Sequence, residues 1–214
     1  MIHLSVAYRL VREHGYPDSP DFFLGAIAPD AIHSRKNRTV EDKQRSHFFD
    51  RGKRKFLEEE ARAVLGGHLQ NGDLAAFTSG YMVHLFTDVE WNRSVYWPFR
   101  EKIREEGLNA ECDSLYYADC DRIDADLYDS SSWRSLVWDR LYAAEPRDFP
   151  PLLSAAEIGS WRTRVTGWFD LRPELRNGTP KRITNAVADG FLAAAAPGVA
   201  KMMSEFDCFG PVKG

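Results

Sequence analysis

The stretch Tyr81-Met82-Val83-His84-Leu85-Phe86-Thr87-Asp88 places an imidazole and a carboxylate four residues apart. On a helix such positions stack on one face, so His84 and Asp88 can grip one cation. Asn92 extends the same stripe by a turn. The neighbours Val83, Leu85, Phe86 and Val89 are apolar, so an aspartate turned inward among them needs a compensating charge, from a metal or an arginine. Imidazole and carboxylate donors suit zinc, and also manganese or iron. A hydrogen-bonded core histidine is the alternative for His84 alone, and Asp88 weighs against it.

Further donors lie elsewhere. Asp30 ends Leu24-Gly25-Ala26-Ile27-Ala28-Pro29-Asp30, where a turn acid is the competing reading. His47 stands in Ser46-His47-Phe48-Phe49, its backbone anchored by the two phenylalanines. His3 lies early on a first helix. His14 is about 16 Å further along that helix at 1.5 Å per residue, too far to share an ion with His3. It suits the helix C-terminus instead. His33 is open to three roles, as a ligand, a substrate contact or a surface residue, and His68 reads as a loop histidine. From Glu111 to Asp129 there are seven acids against Arg122, usually the sign of a solvated face. Asp119 or Asp121 turned inward would complete a second metal position, and spacing does not choose between them, because residues two apart on a helix face apart.

His84-Leu85-Phe86-Thr87-Asp88, the Gly-Ala-Ile-Ala-Pro-Asp element ending at Asp30, Ser46-His47-Phe48 and His3 together resemble the bacterial zinc-dependent phospholipase C family. The order Asp, His, then His-x-x-x-Asp is shared with its relatives, the zinc-dependent single-strand nucleases. The resemblance covers roughly residues 1–130. It implies an all-α, compact multi-helix domain with metals at the base of a cleft and a phosphoester substrate, phospholipid among the candidates. It also implies that Asp30, His47, His84 and Asp88 hold one ion and that His3 holds a neighbour, with Asp88 bridging. Such a site lowers the pKa of a bound water, which Asp30 would orient or deprotonate. Two departures matter. Secreted members use the mature N-terminal residue as a ligand, whereas Met1 begins this chain, and no histidine follows His84 here. One or two zinc ions, or other divalent metals, are therefore expected, with Asp119 or Asp121 as completing ligands.

The elements that must position these groups read as helices, with strand signals scarce. Helices are predicted over 3–14, stopped by Gly15; within 18–33, as a short helix or turn; over 47–66, stopped by Gly66-Gly67; and over 73–96, started by Asn71-Gly72-Asp73. Pro98 should kink the chain before helix 99–106. Further helices are expected over 114–128, 131–144, 154–168 and 180–204, the last opened by Thr179-Pro180 and bent at Pro197. Residues 34–46, polar and basic, read as loop. A single domain over 1–214 is expected, with a connector at 146–151.

Composition narrows the function. A net charge of -4 speaks against general nucleic-acid binding, and no stable nucleic-acid complex is expected. The charge is uneven: Arg35 to Lys55 carries nine Lys/Arg against Glu41, Asp42 and Asp50. A basic stretch beside His47 would attract phosphate, although a solvated helix face is the commoner meaning of such a run. The sparse cysteines (Cys112, Cys120, Cys208) fit a reducing compartment. With no signal-peptide pattern and no uncharged apolar run of about 18 residues, no transmembrane segment and a cytoplasmic location are expected. The leading expectation is a metal-dependent phosphoester hydrolase. A single-strand nuclease, its bases stacked on Trp91, Tyr96 or Trp97, and a non-catalytic helical protein with a structural metal are the rivals.

Overall fold

The computed structural model describes residues 1–70 and 72–208, with side chains through Phe206. Asn71, expected to help start the central helix, lies outside the described residues, as does the Cys208 side chain.

Among the described residues the chain is all-α but for one two-stranded ribbon. In order come α1 (Ile2–His14), α2 (Pro20–Gly25), a 3-10 turn (Ala28–Ser34), α3 (Val40–His47), β1 (Phe49–Asp50), β2 (Lys55–Phe56), α4 (Glu58–Leu69) and α5 (Ala75–Trp91). A π turn (Asn92–Tyr96) then leads into α6 (Trp97–Glu105), followed by α7 (Cys112–Ser130), α8 (Arg134–Ala143), α9 (Ala155–Gly167) and α10 (Asn185–Cys208).

The centre is α5. A helix apolar on every side is stable only when surrounded, and α5 packs against α1, α2, α4 and α10. Tyr81, Met82, Val83 and Leu85 are all buried on it. The tightest crossing is with α2, at two glycines. A Cβ at Gly80 would sit 2.0 Å from the Phe22 carbonyl oxygen, and one at Gly25 2.0 Å from that of Phe77. The two backbones touch there, which only glycine permits.

Several expected elements are corrected. Residues 40–46, read as loop, are helical and belong to α3, because Thr39 and Asp42 form a reciprocal capping box. Residues 49–56, read as the start of a long helix, form the β1/β2 ribbon. The reversal begins at Phe48, whose φ of 46° lies in the left-handed region. That conformation is costly for a bulky side chain, and burial of the Phe48 ring offsets it. Helix α4 runs through Gly66 and Gly67 to Leu69, so His68 lies on its last turn, its Nε2 2.7 Å from the Pro150 carbonyl. Pro98 stands at the start of α6, which continues from the π turn, and the irregularity that accommodates it falls in that π turn.

The C-terminal helix begins at Asn185, not at Pro180. The backbone N–H groups of Lys181, Arg182 and Ile183 instead donate to the buried Asp119 carboxylate at 2.8, 2.7 and 3.0 Å. Asp119→Ala should leave these donors unpaired and lower stability by about 3 kcal/mol, with bound metal unchanged. Chemical denaturation beside metal analysis checks both, and loss of metal in a folded variant would return Asp119 to the ligand set.

The expected connector at 146–151 and the segment after it pack against the rest of the fold. Phe149 is fully buried, its ring 5.1 Å from that of Tyr81. Helix α9 packs on the 3-10 turn, and Arg35 just beyond that turn donates to Glu157 and to the Leu152 carbonyl. Within α10, Asn185–Phe206 is long and apolar enough by length and composition to cross a membrane. This qualifies the expectation that no such segment exists. The same helix packs on α1 and α5, burying Phe191, Ala196, Val199 and Met203.

Candidate metal centre

Five of the expected donors converge. Two groupings whose ligand atoms lie within 4.8 Å of one another emerge, His3 with His84 and Asp88, and Asp30 with His47 and His84. They come from α1, the 3-10 turn, α3 and α5.

His84 is the pivot. Its Nδ1 donates to the Ala26 carbonyl at 2.9 Å, an acceptor brought to α5 by the glycine crossing. That bond fixes the proton on Nδ1 and leaves Nε2 as a bare lone pair. Nε2 is buried and has no hydrogen-bond partner among the described residues. It faces Asp88 Oδ2 at 3.7 Å and Asp30 Oδ2 at 3.9 Å. A buried lone pair aimed at two carboxylates is unfavourable unless a cation lies between them.

His47 repeats the pattern. Its Nδ1 meets Ser46 Oγ at 2.8 Å and the Lys43 carbonyl at 3.2 Å, and the Ser46 hydroxyl itself donates to that carbonyl. Nε2 is thereby turned inward, 3.3 Å from Asp30 Oδ1 and 3.8 Å from Asp88 Oδ2. The Tyr81 hydroxyl, one turn before His84, donates to the Ser46 carbonyl at 2.5 Å and ties α3 to α5. His3 Nε2 lies 2.9 Å from Asp88 Oδ1, and its ring stacks on His84 with centroids 3.7 Å apart. Asp88 thus offers one oxygen to His3 and the other to the His47/His84 side, the disposition of a bridging carboxylate.

Electrostatics favour the metal-ready protonation state. Burial would push Asp30 up, but the His47 hydrogen bond and the charges of His84, His47 and Lys43 outweigh it and hold its pKa well below the ordinary range. Burial likewise opposes ionisation of Asp88, and the hydrogen bond from His3 with the neighbouring imidazoles overcomes it, leaving its pKa far down. Burial first, then the charge of His3, lowers His84 to about 3 despite both carboxylates. Neutral imidazole and ionised carboxylate are the forms that bind metal.

A pH dependence follows for the metal-free protein. Between pH 6.5 and about 3 the unfolded chain takes up a proton at His84 and the folded chain does not. Stability should therefore fall with acidification across that window, by up to about 1.4 kcal/mol per pH unit. Denaturant melts from pH 7 to 4 check this, and an equal slope in His84→Gln would contradict it.

Asp119 and Asp121 fall outside both groupings. Asp119 holds the 181–183 backbone, and Asp121 Oδ2 lies 3.9 Å from Arg172. No arginine neutralises Asp88 among the described residues; three imidazoles surround it. His33 sits at the edge, its Nε2 3.6 Å from Asp30 Oδ1. The sequence reading missed Gly25, Gly80 and the Ala26 carbonyl. Glycine inside an apolar helix was the available signal for the first two.

Comparison with protein-family models, with curated proteins and with solved structures finds no match. The class defined by fold and site is an all-α protein with a His/Asp cluster gathered around its central helix from four elements.

Proposed function

We propose that the chain is a metal-dependent phosphoester hydrolase, as its resemblance to the zinc-dependent phospholipases C suggests. The observation carrying the reading is the orphaned Nε2 of His84 facing two carboxylates. His84, His47, Asp30 and Asp88 would hold one divalent cation, zinc foremost, and His3 with the second oxygen of Asp88 a neighbouring one. Bound there, such ions supply Lewis acidity toward a phosphoryl oxygen and toward water.

The chain's own groups do the rest. Asp30, held well below the ordinary carboxylate range, is a poor proton acceptor. Its part is that of ligand and hydrogen-bond acceptor orienting water, rather than general base. Catalysis is favoured over a closed structural site by the uneven exposure of the cluster. His84 and His47 side chains are 1% and 7% exposed, whereas His3, Asp30 and Asp88 keep 26%, 28% and 32%. A structural site closes its shell, and this one keeps an edge open to solvent.

The nuclease alternative relied on aromatic stacking. Trp91 and Tyr96 are buried, with the Trp91 N–H donating to Tyr116, and the Trp97 ring is covered by Arg54. Trp91 and Tyr96 thus present no free face for a base, and Arg54 takes one face of the half-buried Trp97, which weakens the stacking argument for a nuclease.

The test is zinc-reconstituted protein assayed on phosphatidylcholine vesicles, bis(p-nitrophenyl) phosphate and a single-stranded oligonucleotide. Hydrolysis of the non-nucleic diesters, lost with chelator and restored by zinc, is expected. Stoichiometric zinc with no hydrolysis of any of them would overturn the enzyme reading and leave a structural metal.

A further inference from the structure

Lys43 is a half-buried cation beside the cluster, close enough for its charge to favour the ionised Asp30 carboxylate. It lies on α3 four residues before His47, on the same helical face. Its carbonyl already serves His47 Nδ1. Among the described residues its ammonium has no carboxylate within salt-bridge distance, and its side-chain hydrogen-bond partner is His33 Nε2 at 3.3 Å. An ammonium can only donate, so His33 accepts. That same His33 nitrogen is 3.6 Å from Asp30 Oδ1, which puts the ammonium at the rim of the centre. The nearby anions and cations are otherwise engaged. Asp42 is spent on the Thr39 cap and on Arg35, and Arg35 on Asp42, Glu157 and the Leu152 carbonyl.

Charge then points to an anion. One divalent cation neutralises Asp30 and Asp88, and the imidazoles bring nothing negative. Lys43 leaves the loaded centre net positive, and a second ion makes it more so. A positive rim donor beside a metal-binding edge suits a group with several anionic oxygens, one for the metal side and one for the ammonium.

We propose that Lys43, held in place by His33, binds a non-bridging anionic oxygen of the substrate phosphoryl group. The inference rests on the phosphoester reading and selects within it for esters that keep a free anionic oxygen. His33 acts through Lys43 by aiming its ammonium.

Inorganic phosphate is the probe. Calorimetric titration of the zinc-loaded full chain should show phosphate binding, weakened about 10- to 100-fold in Lys43→Met with zinc content unchanged. Lys43→Arg should recover part of the loss, and His33→Phe, which removes the acceptor, should weaken binding several-fold. With bis(p-nitrophenyl) phosphate, Lys43→Met should raise KM more than it lowers kcat. Equal phosphate affinity in wild type and Lys43→Met, or no phosphate binding by zinc-loaded wild type, overturns the assignment. The two readings fail separately. Phosphate bound through Lys43 with neither diester hydrolysed sinks the hydrolase, whereas hydrolysis with phosphate affinity and KM unchanged in Lys43→Met sinks the role of Lys43.

Discussion

Replacing His84 by alanine is expected to remove zinc from the purified protein and to reduce phosphodiesterase activity at least about 100-fold, as loss of a metal ligand does. The imidazole at 84 is the one donor whose nitrogen is wholly buried and unpartnered, so no water can take its place without a new path from solvent. The stability signature is as informative as the activity. Zinc at about 100 times its Kd should stabilise the wild type by roughly 2.7 kcal/mol. In a chain of this size that is a rise in Tm on the order of 5–10 °C. His84→Ala should lose that increment. Its metal-free form should in addition fall below the metal-free wild type by about 1–3 kcal/mol, since the buried Ala26 carbonyl loses its donor. Thermal melts with zinc and with chelator separate the two effects. A wild type whose Tm ignores zinc would reject the metal centre itself.

Of the candidate donors, His84 and Asp88 could be paired from the sequence because their helical spacing is local, whereas Asp30, His47 and His3 joined them only through the resemblance. His84 and Asp88 fall on one face by helical period, Pro29 forces a turn at Asp30, and Phe48-Phe49 fasten His47. What could not be read is non-local. Asp119 acquires its role from backbone 62 residues and more away, at Lys181 to Ile183. The same contact overrides the first-turn signal of Thr179-Pro180, because N–H groups given to a carboxylate do not begin a helix there. The helix over Val40–His47 was legible in principle, as Thr39-Val40-Glu41-Asp42 is a capping pattern, and the density of basic residues obscured it. The ribbon that follows depends on a left-handed Phe48, a conformation that no propensity favours.

The crossing of α2 and α5 carries the largest prediction for stability. Alanine normally improves a helix interior over glycine by about 1 kcal/mol. At Gly80 the sign should reverse, because the new Cβ would stand 2.0 Å from the Phe22 carbonyl oxygen and 2.9 Å from the Ala26 nitrogen. Both obstacles are backbone, so no side chain can swing away and the helices themselves must part. A loss on the order of 3 kcal/mol or more is expected. Gly67→Ala supplies the control. Gly67 is exposed on α4, a methyl added there would meet nothing within 4 Å, and the variant should gain roughly 0.5–1 kcal/mol. Function follows the same displacement. Parting the helices draws the Ala26 carbonyl away from His84 Nδ1 and Asp30, four residues beyond Ala26, away from His84 Nε2. A folded Gly80→Ala protein should therefore bind zinc about 10-fold or more weakly, although it changes no ligand. Denaturant melts of the metal-free protein with zinc titrations would show the two losses together. Unchanged zinc affinity in a destabilised Gly80→Ala would mean that the crossing supports the fold without setting the geometry of the centre.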